Sequence, residues 1–212
     1  MAKKIGLLHT SRVHIKTFED LLKKEDSDAE AFHLVAAGLL EHHQKYGTDQ
    51  ELRDIIDIEI SKLAKKADII LCTCSSIAQA AVDLAPKYAL PILRIDKPMA
   101  EKAVLMADNI IVLASLETTL ESSVKIIKQA AQENNKNPKV VAHVCQGAWS
   151  YFEADDYKNY FKTIANCIDD LANQADVIVL AQASMADAKN YVKANIPILS
   201  SPELALQAVL DY

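Results

Sequence analysis

Two cysteines, Cys72 and Cys74, follow the apolar run Asp68–Leu71 and stand just ahead of Ser75, Ser76 and Ile77-Ala-Gln-Ala-Ala81. A sulfur in such a place can act as acid, base or nucleophile, because the thiolate is the reactive form and its pKa responds to its surroundings. A helix starting directly after Cys74 favours the thiolate through unpaired amides and the helix dipole. The same amides suit a carboxylate or an enolate oxygen. Ser76 is expected to cap that helix, with Gln79 at capping-box spacing. The competing reading is a small buried hydrophobe, since free cysteine is among the most buried residue types. Cys72 lies on the same side of the extended strand but deeper, and is read as structural.

A second copy of this stretch runs from Ala175 to Ala188, and six of its 14 positions are identical to those starting at Ala67. Three more exchange one aliphatic residue or Met for another. The pairing sets Gln182 opposite Cys74, and an amide side chain has no proton to exchange at neutral pH. Other polar groups gather at expected strand ends. His9, Thr10 and Ser11 follow the first strand, and His9 is the best-placed proton donor because imidazole titrates near neutrality. Thr118 and Thr119 open a helix and suit a substrate carboxylate, although helix capping completed by Glu121 explains them equally. Ala183 and Ser184 follow Gln182. Cys72-x-Cys74 and His143-Val-Cys145 carry zinc-type donors, but the spacing fits no common closed site, so no metal is assigned. His42 and His43 read as solvent-facing.

Strands alternate with helical patterns around these residues. Strands are expected at 4–8, 68–71, 91–95, 109–114, 139–144, 176–180 and 196–199, and helices at 17–24, 99–106 and 155–173. Helices also start at Ser76, Ser184 and Ser201-Pro202, where Pro202 suits a first helical position. Ser27-Asp28-Ala29-Glu30 has capping-box spacing and predicts a helix with Phe32, Val35, Ala36, Leu39 and Leu40 on one face, closed by Gly47. Thr48-Asp49-Gln50-Glu51 predicts the next, with Leu52, Ile55, Ile56, Ile60 and Leu63 inward.

The pattern predicts an α/β protein of two pseudo-symmetric three-layer αβα units with mostly parallel sheets. Residues 1–96 with 200–212 form the first expected unit, carrying Cys74, and residues 97–199 the second, carrying Gln182. Ligands of such sheets collect at the carboxyl ends of the strands, so a cleft between the units is expected. The chain has 212 residues, half of them apolar, enough for a substantial core. A net charge of −6 without basic runs argues against a nucleic-acid partner. No apolar run reaches the ~18–20 residues that cross a bilayer. The start is too short for a secretion signal, and four cysteines in such a chain are read as reduced thiols in a cytoplasm.

The sequence resembles the aspartate/glutamate/hydantoin racemase superfamily. Cys74-Ser75-Ser76 matches its first motif, usually Cys-Asn-Thr after an apolar strand. Leu180-Ala-Gln-Ala-Ser-Met-Ala186 matches its second, Leu-Gly-Cys-Ala-Gly-Met-Ala in the hydantoin-racemase form. Ala114–Thr118 resembles the family's threonine-bearing loop, which helps bind the substrate carboxylate, and His9-Thr10-Ser11 stands at its first polar loop. The resemblance implies a cofactor-independent isomerase acting on a small carboxylic acid of amino acid, hydantoin or dicarboxylate type, with Cys74 as base or nucleophile. Thr10, Ser11, Ser75, Ser76, Thr118, Thr119, Gln182, Ala183 and Ser184 would bind substrate, and His9 would join the catalysis. The family is often dimeric, which makes a homodimer compatible with the resemblance. Family racemases use a cysteine from each half, and Gln182 replaces one of them. Three further readings follow: a decarboxylase-type lyase with one thiol, a binding or sensor protein on the same scaffold, and a two-base racemase with a substitute base.

Overall fold

The computed structural model describes residues 2–25 and 28–212. The chain divides into two compact units, Met1–Ile95 with Pro202–Tyr212 and Asp96–Ser201.

In the first unit, strands β1 (Lys4–His9), β2 (Glu30–Val35), β3 (Ile69–Cys72) and β4 (Ile92–Arg94) form a parallel sheet in the order β2-β1-β3-β4. β1 and β3 are buried on both faces, which is why they read as near-continuous apolar runs. Helices α1 (Val13–Lys24), α2 (Gly38–Tyr46), α3 (Gln50–Ala64), α4 (Ser75–Val82) and the one-turn α5 (Ala85–Tyr88) connect them. α3 and α4 pack Leu52, Ile56, Ile60, Ile77 and Ala81 against Leu8, Ile70 and Cys72. Gly6 faces the same side: a Cβ there would stand 3.1 Å from Ile70 Cγ1 and 3.2 Å from Leu63 and Ala67. Successive strand residues alternate faces, so His9 points to the opposite side, toward Phe18 of α1.

The second unit repeats this topology. Strands β5 (Asn109–Ala114), β6 (Lys139–Val144), β7 (Val177–Leu180) and β8 (Ile198–Ser200) are parallel in the order β6-β5-β7-β8. α6 (Lys97–Met106) and α7 (Glu117–Glu133) pack together on this sheet. α8 (Ala148–Glu153) and α9 (Tyr157–Leu171) pack beside each other, and α9 buries Tyr160, Ile164 and Ile168 against Ile111, Leu113, Ile178 and Leu180. α10 (Ser201–Asp211) ends the chain and from Pro202 on belongs to the first unit. The expected α/β architecture of two repeated parallel sheets with flanking helices is present.

Several local expectations are corrected. Residues 30–35 form the edge strand β2 rather than a helix; the residue expected to cap it, Ser27, lies outside the described residues. β2 is half-buried along its length, so its apolar residues mimic a helical stripe without the full burial of a central strand. The helix begins only at Gly38, and Gly47 ends it at φ 74°, a conformation that favours glycine. Asp49, not Thr48, caps α3, accepting a hydrogen bond from the Leu52 amide at 2.9 Å. Residues 183–191 form a 3-10 stretch in place of an α-helix. Pro202 occupies the second position of α10, after Ser201.

Candidate functional site

Cys74 sits two residues beyond β3 and is the N-cap of α4, with extended backbone at φ −117° and ψ 112°. The strand is held fast by its neighbours, since Thr73 N–H donates to the Leu8 carbonyl and Ile95 N–H to that of Cys72. The sulfur is therefore delivered to the carboxyl edge of the sheet. Ser76 does not cap the helix as expected. It is the second helical residue, inside the first turn. Burial pushes the Cys74 thiol up, while the Thr10 hydroxyl, the amides of Ser76 and Ile77 and the Ser76 hydroxyl pull the other way. Burial outweighs them, so the resting group is the neutral thiol and not the thiolate that the helix start alone would favour. Cys74 is half-buried, whereas Cys72 is fully enclosed and points its sulfur at the Cys74 carbonyl, 3.7 Å away.

Thr10 and Ser75 are buried beside this sulfur's strand end, and Ser11 is half-buried, its carbonyl accepting from His14 N–H. His9 is fully buried, with both ring nitrogens engaged. Thr73 Oγ1 donates its single hydrogen to the Leu8 carbonyl at 3.0 Å, so it must accept from His9 Nδ1–H at 2.8 Å. That fixes the tautomer. His9 Nε2 then accepts from His33 Nδ1–H at 2.9 Å, the rings stacking at 5.1 Å. His14 lies 6.1 Å from His9, and its buried Nδ1 is without a partner. Burial, with the neighbouring His14 and His33, pushes His9 down to about 3, and burial pushes His14 down to about 4. His9 is thus a neutral, committed imidazole rather than a free proton donor. His33 and His14 are not evident from the sequence; only an alternating pattern over 31–35 would have set His33 on the His9 side.

The corresponding strand end of the second unit is built from amide and hydroxyl groups. Gln182 follows β7 with backbone angles of φ −116° and ψ 135°, close to those of Cys74. Its Oε1 accepts from the Ser115 amide at 2.6 Å and the Ser115 hydroxyl at 2.7 Å. Because a backbone N–H can only donate, the amide oxygen must face Ser115, and the NH2 group is left pointing elsewhere as a donor. Tyr160 OH lies 3.4 Å from Ser115 Oγ and 2.9 Å from Ser184 Oγ. Burial pushes Tyr160 up to about 12, against the pull of both hydroxyls. Nothing in the sequence singles out Tyr160 for the site, although its place in the stripe 160/164/168 marks it as inward. Thr118 and Thr119 lie in the first turn of α7, which begins at Glu117, so neither caps it. Thr119 is buried, and Thr118 Oγ1 is buried without a hydrogen bond. Ala183 is buried and Ser184 half-buried.

The chain matches the Asp/Glu/hydantoin racemase family over residues 5–209. It belongs to that family. Among solved structures, a glutamate racemase isoform from Bacillus anthracis has a TM-score of 0.73 at 16% identity, covering 99% of this chain and 81% of that one. The aspartate racemase of Picrophilus torridus gives 0.73 at 19%, with 99% and 94% covered. The allantoin racemase of Pseudomonas fluorescens gives 0.65 at 12%, with 98% and 89% covered. No curated protein sequence matches the chain. At these identities the structural likeness concerns the fold.

Cys145 and Cys167 are hydrogen-bonded to each other, which raises the first and lowers the second. His42, Asp49 and Glu51 place metal-type donors within 4.8 Å of one another, but Asp49 already caps α3 and accepts from His42 at 2.9 Å. Among the described residues no helix is long and apolar enough to cross a membrane.

Proposed function

We propose that this chain catalyses cofactor-independent proton transfer at a carbon next to a carboxylate, as an isomerase of small carboxylic acids, with Cys74 as the acid–base or nucleophilic group. The observation that carries the reading is the half-buried Cys74 sulfur at the N-cap of α4, beside the Thr10 hydroxyl and the Ser76 and Ile77 amides. Those donors suit the negative charge that grows on sulfur, or on a substrate oxygen, as a proton moves.

In this reading Cys74 first yields its proton to water; the thiolate removes the α-proton and becomes the thiol again, leaving a planar enediolate, and a proton from water on the opposite face inverts the carbon. Thr10, Ser75, Ser76 and Ser11 belong to the substrate-binding edge of the first unit. His9 is a positioning residue, holding Thr73 directly before Cys74. Gln182 donates its free NH2 to a substrate carboxylate or amide, with Thr118, Thr119, Ala183 and Ser184 as neighbours in that binding function. A homodimer in a cytoplasm is part of the same reading.

The neutral resting thiol favours a second reading, a lyase that loses CO2 from a malonate-type acid. There the enediolate forms by C–C cleavage, takes the proton from Cys74 Sγ, and the thiolate regains one from water. A binding protein without turnover is the reading that Gln182 would support alone.

The test is a panel of amino acids, hydantoins, maleate and arylmalonates assayed with wild type and Cys74→Ala. Loss of a transferring group costs about 10²–10⁴-fold in rate. Equal activity in both proteins, or tight binding with no turnover of any acid, would overturn the assignment.

A further inference from the structure

We infer that Cys145 and Cys167 form a dithiol that peroxides oxidise reversibly to a disulfide, a modification site of the second unit separate from Cys74. The two side chains are hydrogen-bonded to each other. All four cysteines are free, so the pair stands in its reduced form.

Two elements distant in sequence bring these sulfurs together. Cys145 directly follows β6 and is fixed through its backbone. Its N–H donates to the Ala114 carbonyl at 2.7 Å, and its carbonyl accepts from Ala148 N–H at 3.1 Å. Its side chain is enclosed in the core with Tyr160, Ile164 and Ile168 of α9. Cys167 follows Ile164 by one helical turn, which sets it at the margin of that buried stripe. It packs against the same core but is only half-buried, so solvent still reaches it.

The pair divides the chemistry between its members. The hydrogen bond from Cys145 lowers the Cys167 thiol from its ordinary value, against burial and the Asp170 carboxylate, and the same bond raises Cys145. Oxidation selects a sulfur with thiolate character and exposure, which here is Cys167. Cys74 is also half-buried, but burial raises its thiol, and Cys72 is fully enclosed. In the first step the Cys167 thiolate attacks an oxygen of a hydroperoxide. The S–O bond forms, the O–O bond breaks, and the departing oxyanion takes a proton from water. Cys145 then attacks the Cys167 sulfenic acid. The S–S bond forms, the S–O bond breaks, and hydroxide leaves with the Cys145 proton as water. The sulfur pair loses the electron pair that the peroxide gains, and a dithiol reductant restores both thiols by exchange. Neither thiol belongs to the substrate-binding edges, so their oxidation does not depend on the chemistry at Cys74.

Reduced protein treated with hydrogen peroxide at neutral pH, alkylated and mapped by mass spectrometry tests this. The expected product is a linked Cys145–Cys167 peptide, about 2 Da lighter than its two thiol parts. It should form before Cys72 or Cys74 is modified and disappear with dithiothreitol. Cys145→Ser is expected to stop at a sulfenic acid on Cys167, trapped by dimedone. Cys167→Ser should slow the oxidation of Cys145 at least about tenfold. The wild-type map needs neither variant to fold. No linked peptide, a Cys72–Cys74 linkage in its place, or oxidation of Cys74 ahead of Cys167 would overturn the inference.

Discussion

The ends of β3 and β7 are the same piece of structure carrying different chemistry. Each strand follows an aspartate that ties it to the neighbouring strand. Asp68 accepts from the amide of Lys4 at 3.0 Å, and Asp176 from that of Asn109 at 2.7 Å. Each strand is buried over four residues, and each delivers its key side chain two residues beyond its end with similar extended backbone angles. At one end stands a half-buried sulfur facing helix amides. At the other, an amide is pinned by Ser115 and backed by Tyr160 and Ser184. The scaffold can therefore place a reactive group at either end, and the residue it places decides whether that end exchanges protons or only donates hydrogen bonds.

A second contrast concerns what supports each end. The first unit backs its β1 terminus with three close imidazoles, His9, His14 and His33, whereas the equivalent place at the end of β5 holds Ala114. All three are held below their ordinary value of 6.5, foremost by burial, His9 to about 3 and His14 to about 4. Such groups bind fewer protons folded than unfolded. Their contribution is therefore complete above pH 6.5 and is lost as pH falls from there toward 4 and 3. The expected loss is on the order of a few kcal/mol, concentrated in the first unit. Native-state hydrogen exchange at pH 7 and pH 5 should show β1 and β3 losing protection before β5 and β7. Equal loss in both units would break the contrast.

Gln182 offers a sharper test of the second end. Gln182→Ala leaves the Ser115 amide unpaired and its hydroxyl with Tyr160 OH alone, at about 1–3 kcal/mol in chemical denaturation. Gln182→Glu keeps an oxygen for Ser115 but replaces the NH2 donor with negative charge. It should preserve much more of the stability and raise KM for a carboxylate substrate. If Gln182→Glu leaves KM unchanged, the amide has no part in binding.

A stability effect of similar size comes from the sheet centres. The register places Gly6 of β1 where β5 carries Ile111. Ile111 fills its core, whereas at Gly6 the side chains of Leu63, Ala67 and Ile70 occupy that space. Gly6→Ala meets them at 3.1–3.2 Å and should cost about 1–3 kcal/mol, read by thermal unfolding. A neutral substitution would mean that α3 yields easily.

Much of this was legible in the sequence because central parallel strands are buried on both sides and leave apolar runs, and because the duplication shows at Asp68/Asp176 and Ser76/Ser184. The edge strand β2 was not, since half-burial blurs its alternation and a serine three residues before a glutamate imitates a helix start. Cap positions failed for a related reason: Thr118 and Thr119 have the right type, but the chain turns helical at Glu117, before them. The support of each site was the least legible. Tyr160, His14 and His33 come from elements distant in sequence, and only packing brings them to the strand ends.

The most direct measurement is deuterium incorporation at the substrate's α-carbon in D2O, followed by nuclear magnetic resonance for wild type, Cys74→Ser and Cys74→Ala. If Cys74 moves the proton, wild type labels at least one acid of the panel, and Cys74→Ala labels it at least about 10²-fold more slowly, with Cys74→Ser no faster than wild type. Labelling that survives undiminished in Cys74→Ala would show that the sulfur does not carry the proton.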